Sequence, residues 1–275
     1  MNVKDALEII SRTHPGMVRS HNEDSVTFDA AHGLVVLADG MGGYNAGEVA
    51  SGIAVSVVSS EIRHRLEEVS PEVKDAVSGD DMGVALLRDN VKKANLSIFN
   101  AAQSQPQYAG MGTTIVSALF YDDRVAVAHV GDSRMYRLRG DVFETITRDH
   151  SLLQEQIDSG VISKELARLS KNKNLVTRAV GIEADVVPEV HVHDVQVGDI
   201  YLLCSDGLND MVEDEDIAAT LKMLQGNPAL AASQLIEQAN DNGGRDNVSV
   251  ILVKVRAGYA APRGWSAKLK SWFKN

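Results

Sequence analysis

The chain has 275 residues, 44% of them hydrophobic and 24% charged, with a formal net charge of −11. Those values exclude collagen-like, disordered and membrane-embedded chains, and the acidity argues against a nucleic-acid partner, whose phosphates need a basic face. One cysteine rules out an intramolecular disulfide, the acids in MNVKDALEIISR do not suit a signal peptide, and no apolar run reaches the roughly 18 residues that span a bilayer, so a cytoplasmic protein is expected.

In chain order, Gly33–Ala38 (GLVVLA) is the first predicted strand. Ala46–Leu66 follows as a helix, with Val49, Ala50, Ile53, Ala54, Val57, Val58, Ile62 and Leu66 at i, i+3/i+4 spacing. Val84–Ala102 carries Leu87, Val91, Ala94 and Ile98 in the same way. Thr113–Phe120 (TTIVSALF) and Val125–Val130 (VAVAHV) read as buried strands, being rich in Val, Ile and Leu. Ser151–Thr177 is polar and weakly helical, a small excursion from the core. Val190–Val195 (VHVHDV) alternates, Ile200–Cys204 (IYLLC) is another buried strand, and a helix starts near Pro228 and stops at Gly243-Gly244. Val248–Val255 (VSVILVKV) is the last strand. No linker or internal repeat divides the chain, so one domain is expected. The order is not a βαβ alternation; it predicts an α+β fold, with helices outside an antiparallel double sheet.

Four acids fall where an apolar strand meets a glycine-containing loop: Asp39 after the first strand, Asp132 in HVGDSR, Asp206 in CSDGL and Asp246 in GGRDNVSV. Asp and Gly are common turn residues, which would explain any one of them. All four together, at the mouths of buried strands, point to convergence, and converging carboxylates repel unless a cation neutralises them. The donors are oxygens with no Cys/His cluster beside them, which selects Mg²⁺ or Mn²⁺ over Zn²⁺. Upstream, Arg19-Ser20-His21-Asn22-Glu23-Asp24 could be a surface turn. Beside a metal site, its guanidinium could grip a phosphate in bidentate fashion, as a phosphoryl hydrolase requires.

These residues resemble the metal-dependent protein phosphatases of the protein phosphatase 2C (PPM) family, in its bacterial branch. The pieces run in family order from about Thr13 to Val255: VRSHNEDS, LADGMGGYNAGEVAS, GMGTT, HVGDSRMYRLR, TRDHS, LVTRAVG, LLCSDGLND and GGRDNVSV. The resemblance implies a central antiparallel β-sandwich flanked by pairs of helices (α-β-β-α), a phosphatase domain over residues 1–258 and a mobile flap over about 151–177. It implies two Mn²⁺ or Mg²⁺ ions, with a third in bacterial relatives. Asp39 would bridge the pair, Gly40 would give its carbonyl to one ion, and Asp206 and Asp246 would complete the other's shell. Glu23 would act through metal-bound water with Asp24 close behind it, Asp132 with Asp206 would hold the third ion, and Arg19 would bind the substrate phosphate. The reaction implied is hydrolysis of phosphoserine and phosphothreonine in proteins by a metal-bridging hydroxide, counteracting a cognate Ser/Thr kinase. One position departs from the pattern: where many eukaryotic members have a histidine proposed as the general acid, this chain has Met41, so the proton donor is unassigned.

Other features carry less. Cys204 ends a strand and has Asp210, not arginine, six residues on, so a buried structural thiol is expected rather than a nucleophile. His191 and His193 would share a face of an alternating strand, and a solvated face is favoured over a metal pair. His129 reads as a hydrogen-bonded core residue and His150 as structural or at the substrate's edge. No GxxxxGK[ST] loop or kinase-type catalytic motif is present. In the tail, residues 259–275, Trp265, Leu269, Trp272 and Phe273 share a helical face, and Arg263, Lys268, Lys270 and Lys274 add four charges. Removing +4 from −11 leaves −15 for the rest. Packing on the protein's own surface and docking of residues 263–275 to a membrane surface or protein partner are both open. The rival functions are a phosphoprotein-binding pseudophosphatase and a small-molecule phosphomonoesterase with the same di-metal centre. A monomer is expected.

Overall fold

The computed structural model describes residues 2–43, 45–163, 166 and 175–261. Eleven strands occur among them: β1 Leu7–His14, β2 Asp24–Asp29, β3 Leu34–Met41, β4 Gly112–Thr113, β5 Ile115–Tyr121, β6 Arg124–Val130, β7 Arg134–Arg139, β8 Val142–Thr145, β9 Glu189–Asp194, β10 Ile200–Cys204 and β11 Val248–Val255. The helices are α1 Val3–Ala6, α2 Ala46–Leu66, α3 Met82–Ser104, α4 Leu152–Asp158, α5 Asp206–Asn209, α6 Asp214–Met223 and α7 Pro228–Asp241. One sheet runs β1-β11-β10-β7-β8, the other β2-β3-β5-β6-β9 with β4 added beside β3, and the strand pairs are antiparallel.

The central strands β3, β5, β6, β10 and β11 are apolar on both faces because each sheet is covered twice. Along β3, Leu34, Val36 and Ala38 pack under α2 and α3, whereas Val35 and Leu37 face the other sheet. Along β11, Ile251, Val253 and Val255 face the gap between sheets, and Val248, Val250 and Leu252 pack under α6 and α7. On α2 the i, i+4 series Ala50, Ala54, Val58 and Ile62 is fully buried. The result is the expected α-β-β-α layering of an α+β fold.

Three expectations need correction. Asp39 does not follow its strand: β3 continues to Met41, because Gly40 and Met41 pair with Thr113 and Gly112 of β4. Thr113–Phe120 is broken at Thr114 into β4 and β5. The face shared by His191 and His193 is only partly solvated; they stand opposite Val127 and Val125 of the inter-sheet core, at the sandwich edge, where the His191 side chain stays 38% exposed. Part of the expected flap (164–165 and 167–174) and tail residues 262–275 lie outside the described residues. No helix among the described residues is long and apolar enough to cross a membrane.

Candidate active site

The antiparallel register brings the predicted acids to one end of both sheets. Asp24 opens β2 and stands opposite Asp39 near the end of β3. Asp132 follows β6, Asp206 follows β10 and Asp246 precedes β11 at that same end. Backbone contacts fix the spacing. Thr114 donates its N–H to the Asp39 carbonyl at 2.8 Å, its hydroxyl accepts from Asp39 N–H at 3.1 Å, and Thr113 Oγ1 donates to the same carbonyl at 2.7 Å. Gly207, beside Asp206, lies so close to the Asn247 carbonyl that a Cβ would sit 1.9 Å from it.

Gly40 and Gly47 bring the loop after β3 against the start of α2. A Cβ on Gly40 would sit 2.1 Å from the Gly47 carbonyl oxygen, and one on Gly47 would sit 2.7 Å from Glu23 Oε1. Only bare backbone fits, and it presses the Glu23 carboxylate against the Gly40 segment. The Glu23 carbonyl accepts from Gly40 N–H at 3.2 Å and Ser51 Oγ at 2.6 Å.

Burial and mutual repulsion dominate the electrostatics of these acids. Burial pushes Asp24 up to about 6, against hydrogen bonds from Ser249 and Ser205 that lower it. Asp24 Oδ1 is buried with no hydrogen-bond partner, while Oδ2 accepts from Ser205 Oγ at 2.8 Å. Burial, then the charges of Asp24 and Asp206, drive Asp39 well above the carboxylate range. Asp206 rises likewise through burial and Asp132, and Asp132 is pushed up to about 6 by burial and Asp149. Arg19 contributes one cation: its Nη2 donates to Asp246 Oδ2 at 2.7 Å, while its side chain stays 53% exposed. A cleft of about 350 Å³ opens beside Asp132 and Asp206, walled by Arg134, Arg148, Leu153, Ile157 and Asp214.

This donor set fits hard divalent cations: converging carboxylates, a buried oxygen without a partner, and a glycine cradle that exposes backbone. Met41 ends β3 opposite Gly112 and offers no proton. Cys204 is buried, and burial pushes its thiol up, away from nucleophilic use. His129 is the expected core residue, its Nε2 bonded to the Arg148 carbonyl at 2.9 Å.

Sequence reasoning passed over the neutral groups that hold the acids. Asn247 binds Glu23 N–H through Oδ1 (2.8 Å) and donates to the carbonyls of Pro15 (3.0 Å) and His21 (2.8 Å), pinning the Arg19 loop to β11. Arg134 is gripped by Asp149 through Nε and Nη2. The signal was there in GGRDNVSV and TRDHS, but an amide or an ion pair within a motif does not announce its partner.

The family model "Protein phosphatase 2C" matches residues 17–238. The serine/threonine phosphatase stp of Listeria innocua is 37% identical over 246 residues, covering 88% of this chain and 94% of the relative. The crystal structure of the Mycobacterium tuberculosis serine/threonine phosphatase PstP/Ppp superposes with a TM-score of 0.82 at 36% identity, covering 91% of this chain and 99% of that one. The PstP catalytic domain in complex with two manganese ions gives 0.78 at 37%, with the same coverage of both chains. With its fold, its acid-lined strand ends and these likenesses in agreement, the chain belongs to the protein phosphatase 2C family.

Proposed function

We propose that this chain is a Mn²⁺- or Mg²⁺-dependent phosphatase that removes phosphate from serine and threonine residues of proteins. The observation that carries the reading is the convergence of Asp24, Asp39, Asp132, Asp206 and Asp246 at one end of both sheets, with four of their carboxyls held above the ordinary range. The names of the relatives, and the two manganese ions in the PstP structure, support it.

In this reading Asp39, the Gly40 carbonyl, Asp206 and Asp246 would hold two divalent ions, Glu23 would act through water with Asp24 behind it, and Asp132 with Asp206 would hold a third. Bound divalent ions would acidify water and offset charge on the phosphoryl oxygens. Arg19 sits on the open side of the acids, where its exposed N–H groups can orient an incoming phosphate monoester. Asn247 keeps that loop in place, and the cleft walled by Arg134, Leu153 and Ile157 receives the flanking peptide. The proton for the leaving oxygen has no side-chain donor assigned. Opposition to a cognate Ser/Thr kinase, a monomeric state, a cytoplasmic location consistent with the lone Cys204, and docking through residues 263–275 complete the proposal.

Hydrolysis of a phosphothreonine peptide tests it, with and without Mn²⁺, for wild type and Asp39→Asn. Activity only in the wild type with Mn²⁺ is expected; equal activity in all four conditions would sink the mechanism.

A further inference from the structure

A second polar cluster lies about the β6–β9 edge, where ligand atoms of His129, His150 and Glu189 come within 4.8 Å of one another. That spacing suits an ion, but the hydrogen bonds do not. The Gly131 N–H can only donate, and it points at His150 Nδ1 at 3.2 Å, so Nδ1 is the acceptor and the imidazole proton is on Nε2. Nε2 then donates to Glu189 Oε2 at 3.2 Å, and Glu189 Oε1 accepts from His191 Nε2 at 2.7 Å. His150 has no lone pair left for a cation. It is a strut.

What the strut joins gives it meaning. His150 N–H donates to the Gly131 carbonyl at 2.9 Å, so the two residues are bonded twice, once through main chain and once through the ring. Gly131 has a φ of +105°, and a Cβ there would sit 2.7 Å from Thr114, the residue that holds Asp39 by its N–H and carbonyl. On its other side the His150 carbonyl accepts from Thr177 N–H at 2.8 Å, and Ser151 bridges to Val176, where the polar excursion returns to the fold. The ring stacks on His129, centroids 4.8 Å apart. A continuous path therefore runs from Asp39 through Thr114, Gly131 and His150 to the root of the 151–177 segment and to the edge strand.

We propose that His150 is a positioning residue: through its Nδ1 bond to Gly131 it sets the Asp132 carboxylate for ion binding, with Glu189 fixing the imidazole tautomer. This rests on the reading of Asp132 as an ion ligand. Loss of a group that orients a ligand typically weakens metal binding about 10- to 100-fold.

The two amide replacements separate the two ring nitrogens. His150→Asn places a carbonyl near the Nδ1 position and keeps an acceptor for Gly131, whereas His150→Gln places a donor near Nε2 and keeps only the Glu189 bond. Glu189→Leu frees the proton to move to Nδ1, where it would oppose the Gly131 N–H. Calorimetric titration of the full chain with MnCl₂, alongside thermal melting and hydrogen exchange at the Gly131 amide, reads the result. The expected outcome is a roughly 10-fold or greater loss in the weakest Mn²⁺ affinity for His150→Gln and Glu189→Leu, with faster Gly131 exchange. His150→Asn should stay within about threefold of wild type. Equal losses in the Asn and Gln variants that track melting temperature would reduce His150 to a packing residue and overturn the proposal, as would unchanged affinity in Glu189→Leu. Asp132→Asn is the control: if it weakens ion binding and the His150→Gln and Glu189→Leu variants do not, the strut is wrong and the ligand right. If it changes no Mn²⁺ affinity, the reading of Asp132 falls, and the proposal with it.

Discussion

The two ends of the sandwich are both acidic, yet the acids live differently. At the β5–β6 turn, Asp81 is met by Lys74 Nζ at 2.9 Å, Arg124 Nη1 at 2.8 Å and the Tyr121 hydroxyl at 3.2 Å. Its neighbours Asp122 and Asp123 accept the backbone N–H groups of Ala261 and Tyr259. Burial alone would raise the Asp81 carboxyl, but Lys74 and Arg124 hold it below the ordinary range. At the opposite end burial wins, and Asp24, Asp39, Asp132 and Asp206 are all raised, with the charges of neighbouring aspartates adding to it. A hollow of about 560 Å³ also lies at the paired end, beside Asp122, Asp123 and Arg124. Neither the number of acids nor a hollow beside them distinguishes the two ends; the direction in which burial and neighbouring charge shift the carboxyls does.

The contrast breaks most visibly at Asp39. Asp39→Asn should lower kcat/KM on a phosphopeptide by on the order of 100- to 1,000-fold, the equivalent of several kcal/mol of lost charge stabilisation. In chelator the same variant should melt higher than wild type, since it removes one of the repelling carboxyls. Arg19→Lys keeps the charge but loses the fork, and should cost roughly 10- to 100-fold in kcat/KM, the worth of a charged hydrogen bond or two. At the paired end the signs reverse: Asp81→Asn should lower stability by about 1–3 kcal/mol in denaturant titrations and leave activity untouched.

How much of this could be read beforehand follows the chemistry of each segment. Strands buried on both faces, such as Val248–Val255, are continuous apolar runs and were plain, as was Ala46–Leu66 with its helical spacing. β1 (LEIISRTH), β2 (DSVTFD) and β7 (RMYRLR) escaped notice because their polar residues face an edge or a cleft and break the run. Asp39, Asp132, Asp206 and Asp246 stood out by position, whereas Asp24 and Gly40 gained a role only through the family resemblance. Asn247, Thr114 and Glu189 act by donating and accepting across the fold, over separations no local pattern records.

An effect of similar size is one of pH. Asp24 is raised from an ordinary value near 3.8 to about 6, so the folded chain holds that proton more tightly than the unfolded one. The stability this contributes is full below about pH 4 and lost as pH rises through about 6. In chelator, Asp24→Asn should therefore flatten the decline in stability between those values, by roughly 1–3 kcal/mol. Asp81, being lowered, contributes in the opposite sense: its stability is present above its unfolded pKa and lost as pH falls through its folded one.

The central claim, that the end carrying Asp24, Asp39, Asp132 and Asp206 is built for divalent ions, is tested most directly by Mn²⁺ calorimetry near pH 7 in two buffers of different ionisation enthalpy. The expected result is at least two ions per chain with net release of protons from the raised carboxyls, both lost or sharply weakened in Asp39→Asn. Binding that ignores Asp39→Asn, or no binding at all, would contradict the account.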